Sequence, residues 1–209
     1  MVEPFLRRSA LAHKSLAARA AEPHPDAGMK LSESAFRCQI NLRGNASEPA
    51  FSAAASQTLG FDLPTTPNQV AAGAGLTALW LGPDEWLIVG APGRETALAS
   101  DLRRALAGQH YAIVDVSEAR TVLVVTGRSA RDCLRKGTPL DLHARFFQTG
   151  HCAQTALTKA NVILHQTADD PRYEIYVAIS FADYLWNWLE RAADEYGLAV
   201  IHTDASARF

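Results

Sequence analysis

Few residues in this chain are of types and spacings that could do chemistry. Gly73, Gly75 and Ala78 spell GxGxxA, the nominal fingerprint of a dinucleotide site. That motif works only between a strand and a helix, where the pyrophosphate meets the helix N-terminus. Here a loop precedes it and an apolar β-type run follows, so the glycines are expected to lead into a hairpin. His143, His151 and Cys152 could suggest a metal. Their spacing is neither helical nor C-x-x-C, and two ligands with a distant third do not make a tetrahedral site. Asp84 and Glu85 fall in a hairpin turn, where acidic residues serve the backbone. Gly127, Arg128 and Ser129 open a helix and could hold an anion, although most helix starts serve only their own helix. No nucleophile–base pair, P-loop or triad order is evident. The sequence offers no catalytic, cofactor-binding or metal-binding residue.

The elements that would position such groups are easier to read. Residues 121–126, TVLVVT, are apolar on both faces, as in a strand covered from two sides. Ser129 is the expected N-cap of the next helix, Gly137 its left-handed stop, and Pro139 a block to restarting. Cys38, Ile40 and Leu42 alternate as a half-buried strand. Ser47 and Pro49 then open a helix that Gly60 ends. Residues 76–90, LTALWLGPDEWLIVG, form the clearest hairpin. A helix over 94–107 and a strand over 111–116 follow. The second half repeats the plan: a strand at 121–126, a helix after Ser129, a hairpin from 161–167 and 173–179, a helix after Ser180 and a strand over 198–202. The predicted fold class is α+β, two ferredoxin-like βαββαβ units sharing a core. The units span 37–117 and 118–203, within a globular part of 37–209 that ends in a short tail. Residues 1–36 are expected to be an extended arm, either disordered or wrapped on a partner.

Composition sets the class. The chain has 209 residues, 48% of them apolar and 20% charged, with a net charge of −2. That describes an ordinary globular protein and gives no electrostatic footprint for nucleic acid or an anionic membrane. Three widely spaced cysteines, Cys38, Cys133 and Cys152, argue against a disulfide framework and fit a reducing cytoplasm. No apolar run approaches the ~20 residues of a membrane span.

Large apolar groups without an evident core partner suggest a subunit interface. The arm offers Leu6, Leu11 and Leu16. On the last helix, Phe181, Leu185, Trp188, Leu189, Ala192 and Tyr196 are taken as the core stripe. Tyr184 and Trp186 then fall off its centre, either packed on a flank or facing a partner.

A set of segments, in order along nearly the whole chain, also carries a family resemblance. These are RRSALAH (7–13), FRCQINLRG (36–44), ALWLGPDEWLIVG (78–90), VDVSEARTVLVVTG (114–127), RDCLRKGTPLDLH (131–143), HCAQTAL (151–157) and SFADYLWNWL (180–189). Together they look like the gamma subunit of heterotetrameric sarcosine oxidase. The resemblance implies a complex with alpha, beta and delta subunits that demethylates sarcosine to glycine. In that reaction O2 is reduced to H2O2, and the methyl carbon is captured on tetrahydrofolate as 5,10-methylene-tetrahydrofolate. It implies FAD, FMN and NAD in alpha and beta, zinc in delta, and no cofactor or catalytic residue in this chain. It also implies a fold like the folate-binding aminomethyltransferase domain. Two alternatives stay open: a stand-alone folate-binding aminomethyltransferase-like protein, or the gamma-type subunit of a related N-methyl amino acid oxidoreductase. Against the first, the KGCYxGQE-type signature of folate-dependent iron–sulfur maintenance proteins is absent. A pair of RNA-binding ferredoxin-like units would need basic charge and strand aromatics that the chain lacks.

Overall fold

The computed structural model describes residues 7–22 and 24–202. After a short helix α1 (Leu16–Arg19), the chain runs β1 (Met29–Ser34), β2 (Cys38–Gly44), α2 (Pro49–Leu59), β3 (Val70–Gly73), β4 (Leu76–Gly82), β5 (Glu85–Gly90), α3 (Glu95–Ala105) and β6 (Tyr111–Asp115). It continues through β7 (Arg120–Thr126), α4 (Ala130–Arg135), β8 (Cys152–Leu157), β9 (Ala160–Ala168), β10 (Arg172–Ala178), α5 (Ile179–Ala193) and β11 (Leu198–Val200). Among the described residues, no helix is long and apolar enough to cross a membrane.

The strands form two sheets. The five-stranded sheet has the order β3-β4-β5-β2-β6, and the six-stranded sheet β11-β1-β7-β10-β9-β8. All neighbours are antiparallel except β1 and β11. Within the first sheet, β2, α2, β4, β5, α3 and β6 make one βαββαβ unit. Within the second, β7, α4, β9, β10, α5 and β11 make another. Each unit adds one antiparallel strand beside its hairpin: β3 on β4, and β8 on β9.

The layers follow from strand alternation. On β5, Trp86 and Ile88 join the α2/α3 core, while Leu87 and Val89 face the other sheet. On β7, Leu123 and Val125 join the α4/α5 core, while Val122 and Val124 face the first sheet. The two sheets thus pack face to face, with helices outside both. This explains the doubly apolar 121–126 run. It also makes β2 more buried than its alternation suggests: Gln39 is as buried as Cys38 and Ile40. Its side chain and backbone bridge the layers, bonding Arg120 O at 3.1 Å and Ser117 Oγ at 2.9 Å.

Several local expectations are corrected. Met29–Ser34, expected in the arm, is an interior strand between β7 and β11. Its apolar Met29 and Leu31 are fully buried beneath α4 and α5. Leu11, expected at an interface, is fully buried in the same core. Leu16 packs against that core only in part, and Leu6 lies outside the described residues. Trp186, expected off the stripe, is fully buried. The buried face of α5 is Ala182, Leu185, Trp186, Leu189, Ala192 and Ala193, and small alanines define it as much as the large groups do. Phe181, assigned to the stripe, is 42% exposed. The Trp186 indole N–H donates to Glu190 Oε1 at 2.8 Å, which satisfies its polar edge in the core.

Ser129 makes no side-chain cap. The N-caps of α2 and α5 are Glu48 and Ala178, not Ser47 or Ser180. Pro49 does occupy the first turn of α2, and Gly60 does end that helix at φ +83°. Gly137 does not stop α4 in a left-handed conformation. It is required for space, because a Cβ there would lie 2.6 Å from Trp188 Cη2 and 2.9 Å from Thr158 Cγ2.

Candidate functional site

At one end of the inter-sheet layer the apolar packing gives way to charge. Glu174 and Tyr176 alternate onto the inner face of β10, and His165 stands beside Glu174 in register on β9. Arg37 comes from the crossing between β1 and β2, where Phe36 adopts φ +62°. A bulky residue in the left-handed region is uncommon, and it is held here by its surroundings. Its ring carries the Arg7 guanidinium at 4.4 Å.

The geometry is that of a buried ion pair whose carboxylate oxygens are both satisfied, beside a histidine that is not. Arg37 donates to Glu174 Oε1 at 2.8 Å and to Ser34 Oγ at 2.9 Å. The Tyr176 hydroxyl donates to Glu174 Oε2 at 2.8 Å. His165 Nδ1 is 3.9 Å from the same oxygen, too far for a hydrogen bond, and has no other partner among the described residues. Burial pushes the His165 imidazolium down to a pKa of about 4, with the neighbouring Glu174 opposing and Arg37 assisting. Burial alone would raise the Glu174 carboxyl, but Arg37, His165 and the Tyr176 hydrogen bond hold it below its ordinary value. Tyr176 is pushed well above the usual phenol range by burial and by the adjacent carboxylate. Around neutral pH the cluster is therefore a fixed ion pair, a protonated phenol and a neutral imidazole.

This cluster lies at the back of a cleft of about 590 Å³ between β3–β4 and β9–β10. Arg172 and Thr167 line its polar side, and Val70, Ala72 and Leu76 its apolar side. The Gly73–Gly75 turn forms part of the rim. It joins two strands in a hairpin with no helix after it, so GxGxxA does not make a dinucleotide site here. His143 is exposed, and His151 bonds Phe146 O at 3.2 Å. Cys152 points into the layer between the sheets, with Sγ 3.4 Å from Trp80 O. Among the described residues, no three His, Cys, Asp or Glu side chains converge to hold a metal. Burial raises the thiols of Cys38 and Cys152 to about 12 and that of Cys133 to about 11, which removes the thiolate needed for nucleophilic attack.

Sequence reasoning missed the Arg37–Glu174–His165 cluster because its members are far apart in the chain. One signal was present. Glu174 interrupts the run YEIYV, where a strand covered on both faces has no cheap place for a carboxylate. Of the described residues expected at an interface, only Tyr184 is exposed, at 38%, with its hydroxyl 2.9 Å from Thr158 Oγ1. Phe181 packs edge-on against it, and Ile179, the first residue of the same helix, is also exposed.

Known proteins share this arrangement. Residues 43–195 match the model of the sarcosine oxidase, gamma subunit family. The sarcosine oxidase subunit gamma of Corynebacterium sp. (strain U-96) is 35% identical over 197 residues, covering 94% of each chain. That of an Arthrobacter sp. is 35% identical, covering 91% of this chain and 92% of the relative. Among solved structures, the heterotetrameric sarcosine oxidase from Corynebacterium sp. U-96 in complex with pyrrole 2-carboxylate contains a chain with a TM-score of 0.83 and 34% identity. The match covers 93% of this chain and 98% of that one. The glycine cleavage system aminomethyltransferase T from Bartonella henselae matches at a TM-score of 0.66 and 14% identity, over 89% of this chain and 50% of that one, and so shares the fold. The matched region runs from β2 to the end of α5 and takes in both half-units, so the chain belongs to the sarcosine oxidase gamma subunit family.

Proposed function

We propose that this chain is the non-catalytic, structural gamma subunit of a heterotetrameric sarcosine oxidase. Its partners are the alpha, beta and delta chains. FAD, FMN and NAD belong to alpha and beta, and zinc to delta. The complex demethylates sarcosine to glycine, reduces O2 to H2O2 and passes the methyl carbon to tetrahydrofolate. The setting is the cytoplasm. One observation carries the reading: a family match across both half-units, in a chain whose ionisable cluster is locked into its own ion pair.

Its contribution is mechanical. Two sheets packed face to face with helices outside make a rigid body. Clamped on larger chains, such a body fixes their relative pose and keeps water from a reactive intermediate passing between sites. The exposed group Ile179, Phe181 and Tyr184 at the start of α5 is the proposed contact. Aromatic anchors of this kind dominate protein interfaces.

Co-expression with candidate alpha, beta and delta chains tests this directly. The chain should co-purify in a four-subunit complex, and Phe181→Asp should weaken assembly while leaving the free chain folded. Sarcosine turnover by the free chain, or a complex fully assembled and fully coupled without it, would overturn the proposal.

A further inference from the structure

We propose that the cleft between β3–β4 and β9–β10 is a binding site for a small carboxylate with an apolar body. Arg172 holds the anion, and Val70, Ala72 and Leu76 form the wall for the body. This goes beyond the structural role and does not depend on it.

The cleft has a volume of about 590 Å³, within the range of small-molecule sites. One wall is aliphatic, and the opposite wall is polar and electrically unbalanced. Glu174 is already engaged: its Oε1 takes the Arg37 hydrogen bond and its Oε2 takes that of Tyr176. Arg172 therefore approaches Glu174 Oε1 only to 3.9 Å, and its guanidinium meets no hydrogen-bond acceptor among the described residues. It lines the cleft and is about 43% exposed, so its donors are accessible from the opening.

Charges at the rim do not cancel this surplus. Asp169 accepts from Thr149 Oγ1 at 2.7 Å, and Arg94 reaches the Ala74 and Gly75 carbonyls on the far side. Of the charged side chains that line the cleft, Arg37 and Arg172 outnumber Glu174, so it carries one positive charge more than negative. His165 adds none, because burial keeps it neutral.

A planar guanidinium fork facing open space suits a carboxylate, which accepts two parallel hydrogen bonds. The backing is held on both sides: Arg172 pairs with Thr126 of β7 in regular register and, at a β-bulge, with Ala168 of β9. The site is thus built in advance, which lowers the ordering cost of binding.

The test uses the full chain and two probes of the same shape, 1-naphthoate and the uncharged 1-naphthamide, followed by ligand-observed NMR and titration calorimetry. Naphthoate should bind saturably and naphthamide should not. Arg172→Ala should weaken naphthoate by about tenfold or more, the loss expected when a charge-assisted pair is removed. Ala72→Trp, at an exposed strand position, should block the cleft with its charge intact and give the same loss. Melting curves of both variants establish that they fold. If naphthamide binds as well as naphthoate, if neither substitution changes binding, or if naphthoate fails to saturate up to about 10 mM, the inference is wrong.

Discussion

The two half-units share one plan, but they seat their fourth strand differently. In the first, β6 pairs directly with β2. In the second, β1 is inserted between β7 and β11, so the fourth strand reaches its unit only through a strand from the N-terminal segment. A second difference follows. The third strand of the first unit faces the other sheet with Leu87 and Val89, and the third strand of the second unit with Glu174 and Tyr176. The chain that leaves β1 delivers Arg37 to Glu174. The insertion and the buried charge are thus parts of one device: a strand added from outside the repeat, locked in place by an ion pair that the first half does not need.

The largest effect should come from breaking that lock. Glu174→Ala leaves Arg37 buried without its carboxylate and should cost about 3–5 kcal/mol. Replacing both Arg37 and Glu174 with Met should be close to neutral in a denaturant titration. If the double variant is as damaged as the single one, the pair contributes more than its charges.

The inserted strand comes next. Leu31→Ala on β1 should cost about 2–5 kcal/mol, because Leu31 is fully buried between two strands and under two helices. The corresponding truncation Ile113→Ala, on the edge strand β6, should cost clearly less in the same thermal melt. Equal losses would mean that β1 is no more integral than an edge strand.

Acid should act on the second half-unit through His165. His165 titrates at about 4 when folded, against an ordinary 6.5. Between those values the unfolded chain takes up a proton that the folded chain refuses. Stability is therefore full above about pH 6.5 and falls as the pH drops through that window, by up to about 3 kcal/mol. Glu174, held below its ordinary value, adds to the loss at the acid end. Urea midpoints across this window should slope for the native chain and flatten for His165→Gln.

The smallest effect concerns helix ends. Gly137→Ala should cost about 1–3 kcal/mol, because the new methyl overlaps Trp188. Gly60→Ala, in the first half-unit, should cost about 1 kcal/mol, since its positive φ disfavours a side chain and the new Cβ would lie 3.3 Å from Ala74 Cβ, a milder clash than at Gly137. If the two substitutions prove equal in a thermal melt, the crowding at Gly137 relaxes easily.

Much of the architecture was legible from pattern. The hairpin 76–90, the doubly covered strand 121–126 and the repeated order of elements all depend on local periodicity and turn chemistry, which near neighbours decide. The cluster was not legible, because Arg37 meets Glu174 and His165 only through the pairing of strands that are distant in the chain. The α5 stripe was misread for a related reason. Which side of a helix faces the core is set by what lies beneath it, and there Ala182 and Ala193 let Trp186 in.

By itself the sequence determined the alternation of strands and helices, the two-unit plan and, through its ordered segments, the family. Tertiary structure decided the rest. Met29–Ser34 carries MKLSES, with only two large apolar residues and no strong strand signal. It becomes an interior strand because β7 and β11 each present a free edge for its backbone to satisfy. The charge of Arg37 is tolerated inside the protein because that pairing brings it to Glu174. Neither fact is a property of the segment alone, since the free energy of each resides in partners distant along the chain.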